Sequence, residues 1–359
     1  MKLYIHIGTE KTGSSFLQSY LAKNRQMLAK HGVHFPEAGL READMLSGKI
    51  SPGNASELNT LLSQKSWAKV EQWLKMKYKA TKNNNCNQLL LSNEILVKTF
   101  SGQTTLSNFI KVASDQGFEL QPLLLIIRDP VGQALSLYKH RSKNGDMMPI
   151  HQWLREKYNL AHCIRNFYQN IEDLNVVLNQ YAYQKNSKYL VDLCINKWMG
   201  LDEQITIEHT SVNPSLTLSE LKLMSQIKVQ NAYLSNMFYK QMIEIPDEQK
   251  SDESNLKSFY KDVIAQHLVK YQNVWEMCNI NMTNGQISIP KNFINKNFVN
   301  QTSVEYSFTE VQLTKVSELM SFASSKTFLK QKTNWQRKQK FKKLLPNQVV
   351  KAIVNFCKN

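Results

Sequence analysis

The sequence predicts an α/β fold: a P-loop-like parallel sheet flanked by helices, followed by a mostly helical C-terminal region. Three observations carry this expectation. Short apolar runs alternate with helical stretches through the first third of the chain, the signature of a parallel sheet with crossover helices. A polar, glycine-bounded loop, Gly8 to Gly13, feeds directly from the first run into the first helix. Beyond about Met148 the character changes and helical patterns dominate.

The elements follow in order. Leu3 to Ile7 alternates as a strand, and Ser14 to Lys30 reads as a helix with Phe16, Leu17, Tyr20, Leu21 and Leu28 on one face. His31-Gly32 is a stop signal. Pro36 to Pro52 reads as a loop, and Ser66 to Lys79 as a helix with Trp67, Val70, Trp73 and Leu74 at helical spacing. Asn83-Asn84-Asn85 is a turn, Gln88 to Leu91 a buried strand ending at Ser92-Asn93-Glu94, and Leu123 to Ile127 a central strand stopped by Arg128-Asp129-Pro130. A further strand is expected at Asn175 to Leu178, and helices at Ile150 to Tyr158, Ser187 to Met199, Leu218 to Ile243 and Leu256 to Cys278. Ser251 to Asn255 and Met282 to Asn297 read as linkers. The division expected is a core over residues 1–220 and a helical region with a basic tail over 221–359.

The 359 residues suffice for a full core, and 42% hydrophobic with 21% charged residues describes a globular chain. The longest apolar run, Leu123 to Ile127, is far shorter than a bilayer span, and the N-terminus reads as a strand rather than a leader, so a cytoplasmic protein is expected. Five scattered cysteines (Cys86, Cys163, Cys194, Cys278, Cys357) have no C-x-x-C spacing and imply neither a disulfide framework nor a metal site. A net charge of +16, from 45 basic against 29 acidic residues, favours anionic partners without choosing among them. The segment Lys330 to Lys343, with Trp335 and Phe341, and the amphipathic stretch Val349 to Phe356 beyond Pro346 read either as a solvated closing helix or as a dock for an anionic polymer or membrane face.

Chemistry concentrates in two segments. In Gly8-Thr9-Glu10-Lys11-Thr12-Gly13-Ser14-Ser15, a strand-to-helix loop aims free N–H groups and the positive dipole end at one spot. Gly13 admits close approach of an anion, Ser14 and Ser15 add hydroxyls, and Lys11 adds a charge. The glycine spacing is that of the NTPase P-loop, but Ser14 stands where that loop carries lysine, which argues against a kinase. In the second segment, Arg128 ends a strand, Pro130 suits a first helical turn, and Ser136 lies on the helix in line with Gln133 and His140. An arginine fork and a hydroxyl so placed can grip a phosphate from two sides.

Together these segments resemble the PAPS-dependent sulfotransferases (PAPS, 3′-phosphoadenosine 5′-phosphosulfate), most closely the bacterial carbohydrate-type members. The likeness rests on Thr9-Glu10-Lys11-Thr12-Gly13, matching a T-x-K-x-G loop, and on Arg128 followed eight residues later by Ser136. It extends through Ile5-His6-Ile7-Gly8, Gly32-Val33-His34-Phe35-Pro36, Leu90-Leu91-Ser92-Asn93-Glu94, Ser136-Leu137-Tyr138 and Val212-Asn213-Pro214-Ser215-Leu216, over roughly the first 220 residues. Ser14-Ser15 replaces the usual Thr-Thr, and Glu10 the histidine common in bacterial relatives.

The resemblance implies metal-free sulfuryl transfer from PAPS to an acceptor hydroxyl on a carbohydrate. Lys11, Thr12, Gly13, Ser14 and Ser15 would hold the 5′-phosphosulfate, Arg128 and Ser136 the 3′-phosphate, and Lys11 would also stabilise the leaving oxygen. For the general base the sequence offers Glu94, just past a strand end, where open α/β sheets place ligands; the competing reading has Glu94 merely opening the next helix. His34 and His140 are the alternatives. A catalytically silent nucleotide-binding module and, with less support, a P-loop kinase remain as other functions; nucleic acid is not the expected partner.

Overall fold

The computed structural model describes residues 1–49, 51–102, 104–207, 215–290, 306–325 and 328–336. Among them six strands form one parallel sheet: β1 (Lys2–His6), β2 (Val33–His34), β3 (Gln88–Ser92), β4 (Glu119–Leu120), β5 (Leu123–Ile127) and β6 (Leu178–Ala182). The order is β2-β3-β1-β5-β6, and β4 also pairs with β1. Representative partners are Tyr4 with Leu90, His6 with Leu124 and Leu125 with Gln180.

Both faces of this sheet are covered, which is why its strands read as continuous apolar runs. Alternate residues feed two cores. Leu3, Ile5, Leu89, Leu91, Leu123 and Leu125 pack with Trp73, Phe100, Phe109, Phe167 and Trp275 on one side. Tyr4, Leu90, Leu124 and Ile126 pack with Leu17, Leu21, Phe35, Leu190 and Trp198 on the other. Pro122, which has no N–H to donate, separates β4 from β5. Its carbonyl accepts from Trp198 Nε1 at 2.7 Å, and Leu123 N turns to Val177 O at 2.9 Å, so the chain passes from β1 to β6 at that point.

The chain divides into two compact units. The first comprises the described residues of Met1–Tyr138, Pro149–Asn213 and Phe259–Phe298, and the second those of Lys139–Met148, Pro214–Ser258 and Val299–Asn359. The sheet lies wholly in the first. The second is helical, with its own core of Leu216, Leu221, Met224, Phe238, Met242 and Leu319. A buried charged cluster braces it: Glu220 accepts from Thr217 N and Gln312 Nε2, each at 2.7 Å, and Lys250 Nζ lies 4.0 Å from Glu220. Among the described residues no helix is long and apolar enough to cross a membrane.

Several elements differ from the sequence expectation. The helix expected over Ser14 to Lys30 is two, Ser14–Lys23 and Arg25–Lys30, parted at Asn24, whose amide turns back to Tyr20 O at 2.8 Å. Leu218 to Ile243 breaks at Asn231, which is extended (φ −157°) and caps the second piece by accepting from Leu234 N. Leu256 to Cys278 is Ser254–Leu268 and Gln272–Ile280 with a tight turn between them. The last strand begins at Leu178 rather than Asn175. Asn175 adopts a left-handed φ of 50°, and its N–H and that of Val176 close the end of helix Leu160–Asp173. The expected loop Pro36 to Pro52 contains a short helix, Glu42–Leu46, and the linker 282–297 is described only to residue 290. Val212-Asn213-Pro214 and the tail from residue 337 onward, including Phe341, Pro346 and Val349 to Phe356, lie outside the described residues.

Candidate functional site

The connection after β1 runs to one side of the sheet, toward β2 and β3, whereas the one after β5 runs to the other side, to β6. Adjacent strands whose connections diverge leave a crevice at their carboxyl ends, the usual ligand position in an open α/β sheet. The loops entering that crevice are Gly8 to Gly13 and Arg128-Asp129, the two segments the sequence singles out.

The first loop is held to β5. Thr9 N and Thr9 Oγ1 both donate to Ile126 O, at 3.4 and 3.3 Å, and Thr12 Oγ1 donates to Thr9 O at 2.7 Å. The Thr12 hydroxyl hydrogen is thus engaged within the loop. Lys11 has a left-handed φ of 70°, and Gly13 (φ 80°) occupies the N-cap of Ser14–Lys23. The left-handed φ favours glycine here, and a Cβ would press against the Leu190 Cδ1 methyl at 2.6 Å. The N-cap residue is a glycine and has no side chain to cap this helix, which starts at the carboxyl end of β1. Lys11 and Ser15 are partly exposed, and Ser14 is buried.

From β5, Arg128 folds back over the loop. Its Nη1 donates to Lys11 O at 3.3 Å, and its guanidinium lies 5.4 Å above the Tyr183 ring. Asp129 accepts from Gly132 N at 2.6 Å and caps the helix Pro130–Arg141, with Pro130 in its first turn. One turn on, Gln133 Nε2 donates to Glu10 O at 3.1 Å, and its Oε1 accepts from Tyr158 OH at 2.9 Å. Burial, reinforced by Asp129, pushes the Tyr158 phenol well up, so it stays a donor. Ser136 is three residues beyond Gln133 on the same helical side, partly exposed, and about 9 Å along the axis from Pro130.

The third contribution comes from β3. Glu94 follows the strand in a turn and precedes the helix Leu96–Phe100, which has no acidic residue in its first turn. Ser14 Oγ donates to Glu94 Oε2, so this carboxylate reaches the first turn of the helix after β1. Lys11, Gly13, Ser14, Arg128 and Glu94 are therefore grouped at the ends of three adjacent strands. His34 is elsewhere, on the edge strand β2, with Nδ1 2.9 Å from Thr81 Oγ1 and its pKa lowered by burial and then by Lys77 and Arg25. His140 falls within the second unit.

Beneath these loops lies a buried polar layer that the sequence did not announce. His6 Nδ1 is 2.9 Å from Ser92 Oγ, which also accepts from Gln18 Nε2 at 3.2 Å. Asn54 brackets the strand end by donating to Leu90 O and accepting from Ser92 N. Burial holds His6 down at about 4, so it is neutral at physiological pH. Gln133, Tyr158, Tyr183 and Leu190 were likewise unforeseen as parts of the site; of these only Gln133 carried a signal, its helical alignment with Ser136.

Chemically, a lysine, an arginine and a helix N-terminus are groups suited to an oxyanion, and the Glu94 carboxylate stands at the same helix turn. Compared with known proteins, the chain matches no family model, no curated protein and no solved structure.

Proposed function

We propose that this chain is a sulfotransferase that moves a sulfuryl group from PAPS to an acceptor hydroxyl, with a carbohydrate as the acceptor class. One observation carries the reading: the Lys11 loop and Arg128 occupy the same crevice between β1 and β5, joined through the Lys11 carbonyl. The strand order, with β1 flanked by β3 and β5, supports the P-loop-like form of the fold.

In this reading the first-turn N–H groups, that of Ser14 among them, and the Ser15 hydroxyl bind the 5′-phosphosulfate, and Arg128 with Ser136 binds the 3′-phosphate. Glu94 removes the acceptor's hydroxyl proton as the acceptor oxygen forms its bond to sulfur. The bond from sulfur to the bridging phosphate oxygen breaks in line, and Lys11 neutralises the charge arriving on that oxygen. Removing such a contact costs on the order of 10²- to 10³-fold in rate. The acceptor class follows from the resemblance and the basic surface rather than from a residue of the site.

A nucleotide-binding module without turnover is the second reading, and the Ser14 hydrogen bond to Glu94 favours it by engaging the proposed base. A kinase reading has less support, since Ser14 replaces the phosphate-reaching lysine.

The deciding experiment is a calorimetric titration with adenosine 3′,5′-bisphosphate, on the natural chain and on Arg128→Ala. Tight binding weakened by about 1.5–3 kcal/mol in the variant, the scale of a charged hydrogen bond, supports a donor site. Absence of binding, or binding indifferent to Arg128, withdraws both readings.

A further inference from the structure

We propose that a second cleft of the sheet-bearing unit, formed by Arg155, Lys157, His162, His267 and Lys270 around Tyr271, binds a sulfate or phosphate monoester carried on a ligand. The cleft measures about 200 Å³. Sites that enclose a whole drug-sized molecule run to roughly 300–1,000 Å³, so this one suits a single charged group and the ring bearing it.

The charge balance is the first argument. Three permanent cations line the cleft, and Glu156 is its acid, with Oε1 accepting from Gln152 Nε2 at 2.9 Å. Among the described residues no carboxylate forms an ion pair with Arg155, Lys157 or Lys270. Basic residues elsewhere do find acids: Arg25 meets Glu42 at 2.6 Å, and Lys228 meets Asp146 at 2.6 Å. Like charges gathered in a concavity repel one another, and an anion placed among them relieves that repulsion. His267 registers this field: burial lowers its pKa first, and Lys270, His151 and Arg155 each lower it further.

The second argument is geometric. His162 Nε2 lies 3.1 Å from Tyr271 OH, with the two rings edge to face at 5.0 Å, and Lys270 Nζ sits 5.0 Å above the Tyr271 ring. An arginine, two lysines and two histidines thus line one cleft, with His162 and Lys270 in contact with the Tyr271 ring. A tetrahedral oxyanion uses the donors, and the ring attached to it has the tyrosine to lie against. Tyr158 lies buried in the cleft's wall with Leu154; its hydroxyl donates to Gln133, and Gln133 donates to Glu10 O. Two hydrogen bonds thus link this cleft to the loop after β1, though the inference stands without the donor reading.

The test is a calorimetric titration of the full chain with a sulfated oligosaccharide, its desulfated counterpart and adenosine 5′-monophosphate. It compares the natural protein with Arg155→Ala/Lys270→Ala and with Lys270→Glu; both sites are exposed, and circular dichroism checks folding. The sulfated sugar should bind at least tenfold more tightly than the desulfated one, and both variants should lose at least tenfold. Their affinity for adenosine 3′,5′-bisphosphate should stay unchanged. Preference for the monophosphate, lost in the same variants, assigns the oxyanion to a phosphate ester instead. Equal binding of sulfated and desulfated sugars with no monophosphate binding, or variants that bind like the natural protein, overturns the proposal.

Discussion

Ser14 donates its hydroxyl hydrogen to Oε2 of Glu94, fastening the first turn of the helix after β1 to the turn after β3. This contact places the carboxylate beside the proposed donor site, where its role is separable from binding. Glu94→Gln keeps the shape and an acceptor oxygen but cannot take a proton. With any acceptor that supports turnover, sulfuryl transfer should fall by about 10²- to 10⁴-fold, the range of general acid–base catalysis. Affinity for adenosine 3′,5′-bisphosphate should change little in the same titration. An unchanged rate removes Glu94 from the mechanism.

Gly53 provides a test of the backbone against which the site is built. It has a φ of 86°, and a Cβ there would stand 2.0 Å from Ser92 O and 2.6 Å from Gln18 Nε2. Gly39 also has a positive φ, 58°, yet a Cβ there meets nothing within 4 Å. Gly39→Ala should therefore cost about 1 kcal/mol, the left-handed penalty alone. Gly53→Ala should cost at least about 3 kcal/mol, since the obstructing atom is backbone and must move. Urea denaturation of both variants measures the difference.

His6 gives the protein an acid sensitivity with a definite sign. Its folded pKa is about 4 against an ordinary value of 6.5. Between those values the unfolded chain binds the proton and the folded chain does not. The contribution is therefore fully present above pH 6.5 and is lost as pH falls from 6.5 toward 4, amounting to about 3 kcal/mol over that window. Stability measured against pH should show this slope in the natural protein. Replacing His6 with Gln should flatten it, after allowance for His34 and His267, whose pKa values are lowered too.

In the helical unit, the Lys250 and Glu220 side chains are 3% and 0% exposed and 4.0 Å apart. Lys250→Met leaves the Glu220 carboxylate buried without its cation and should destabilise the protein by about 3–5 kcal/mol. Adding Glu220→Gln should restore part of the loss: the orphaned charge disappears and Thr217 N keeps an oxygen acceptor, while Gln312 Nε2 loses the carboxylate oxygen it donates to. Additive losses in the double variant would show that the pair does not interact.

What the sequence revealed depended on how local the determinant was. Leu123 to Ile127 could be read to the residue because a strand buried on both faces must be apolar throughout, and Pro130 marks the helix that follows. The Thr9 to Gly13 loop and Arg128 could be identified because each sits at a strand-to-helix passage within a few residues. β2, only Val33–His34, is too short for any periodicity to register. The breaks at Asn24 and Asn231 turn on a single side chain's choice between solvent and its own backbone. Tyr183 beneath Arg128, Leu190 against Gly13 and Tyr158 behind Gln133 are joined by the sheet alone, so no spacing encoded them.

The contacts that define the crevice span 80 residues, from Ser14 to Glu94, and 117 residues, from Lys11 to Arg128. Such separations delay assembly until non-local strand pairing is complete, because loop closure precedes the contacts that reward it. On the proposed donor-site reading, a nucleotide would recognise only the finished fold, and its binding during refolding would time the docking of β5 onto β1. On the same reading, it would stabilise the β1–β5 junction by mass action, with a stabilisation that grows logarithmically once its concentration exceeds its dissociation constant.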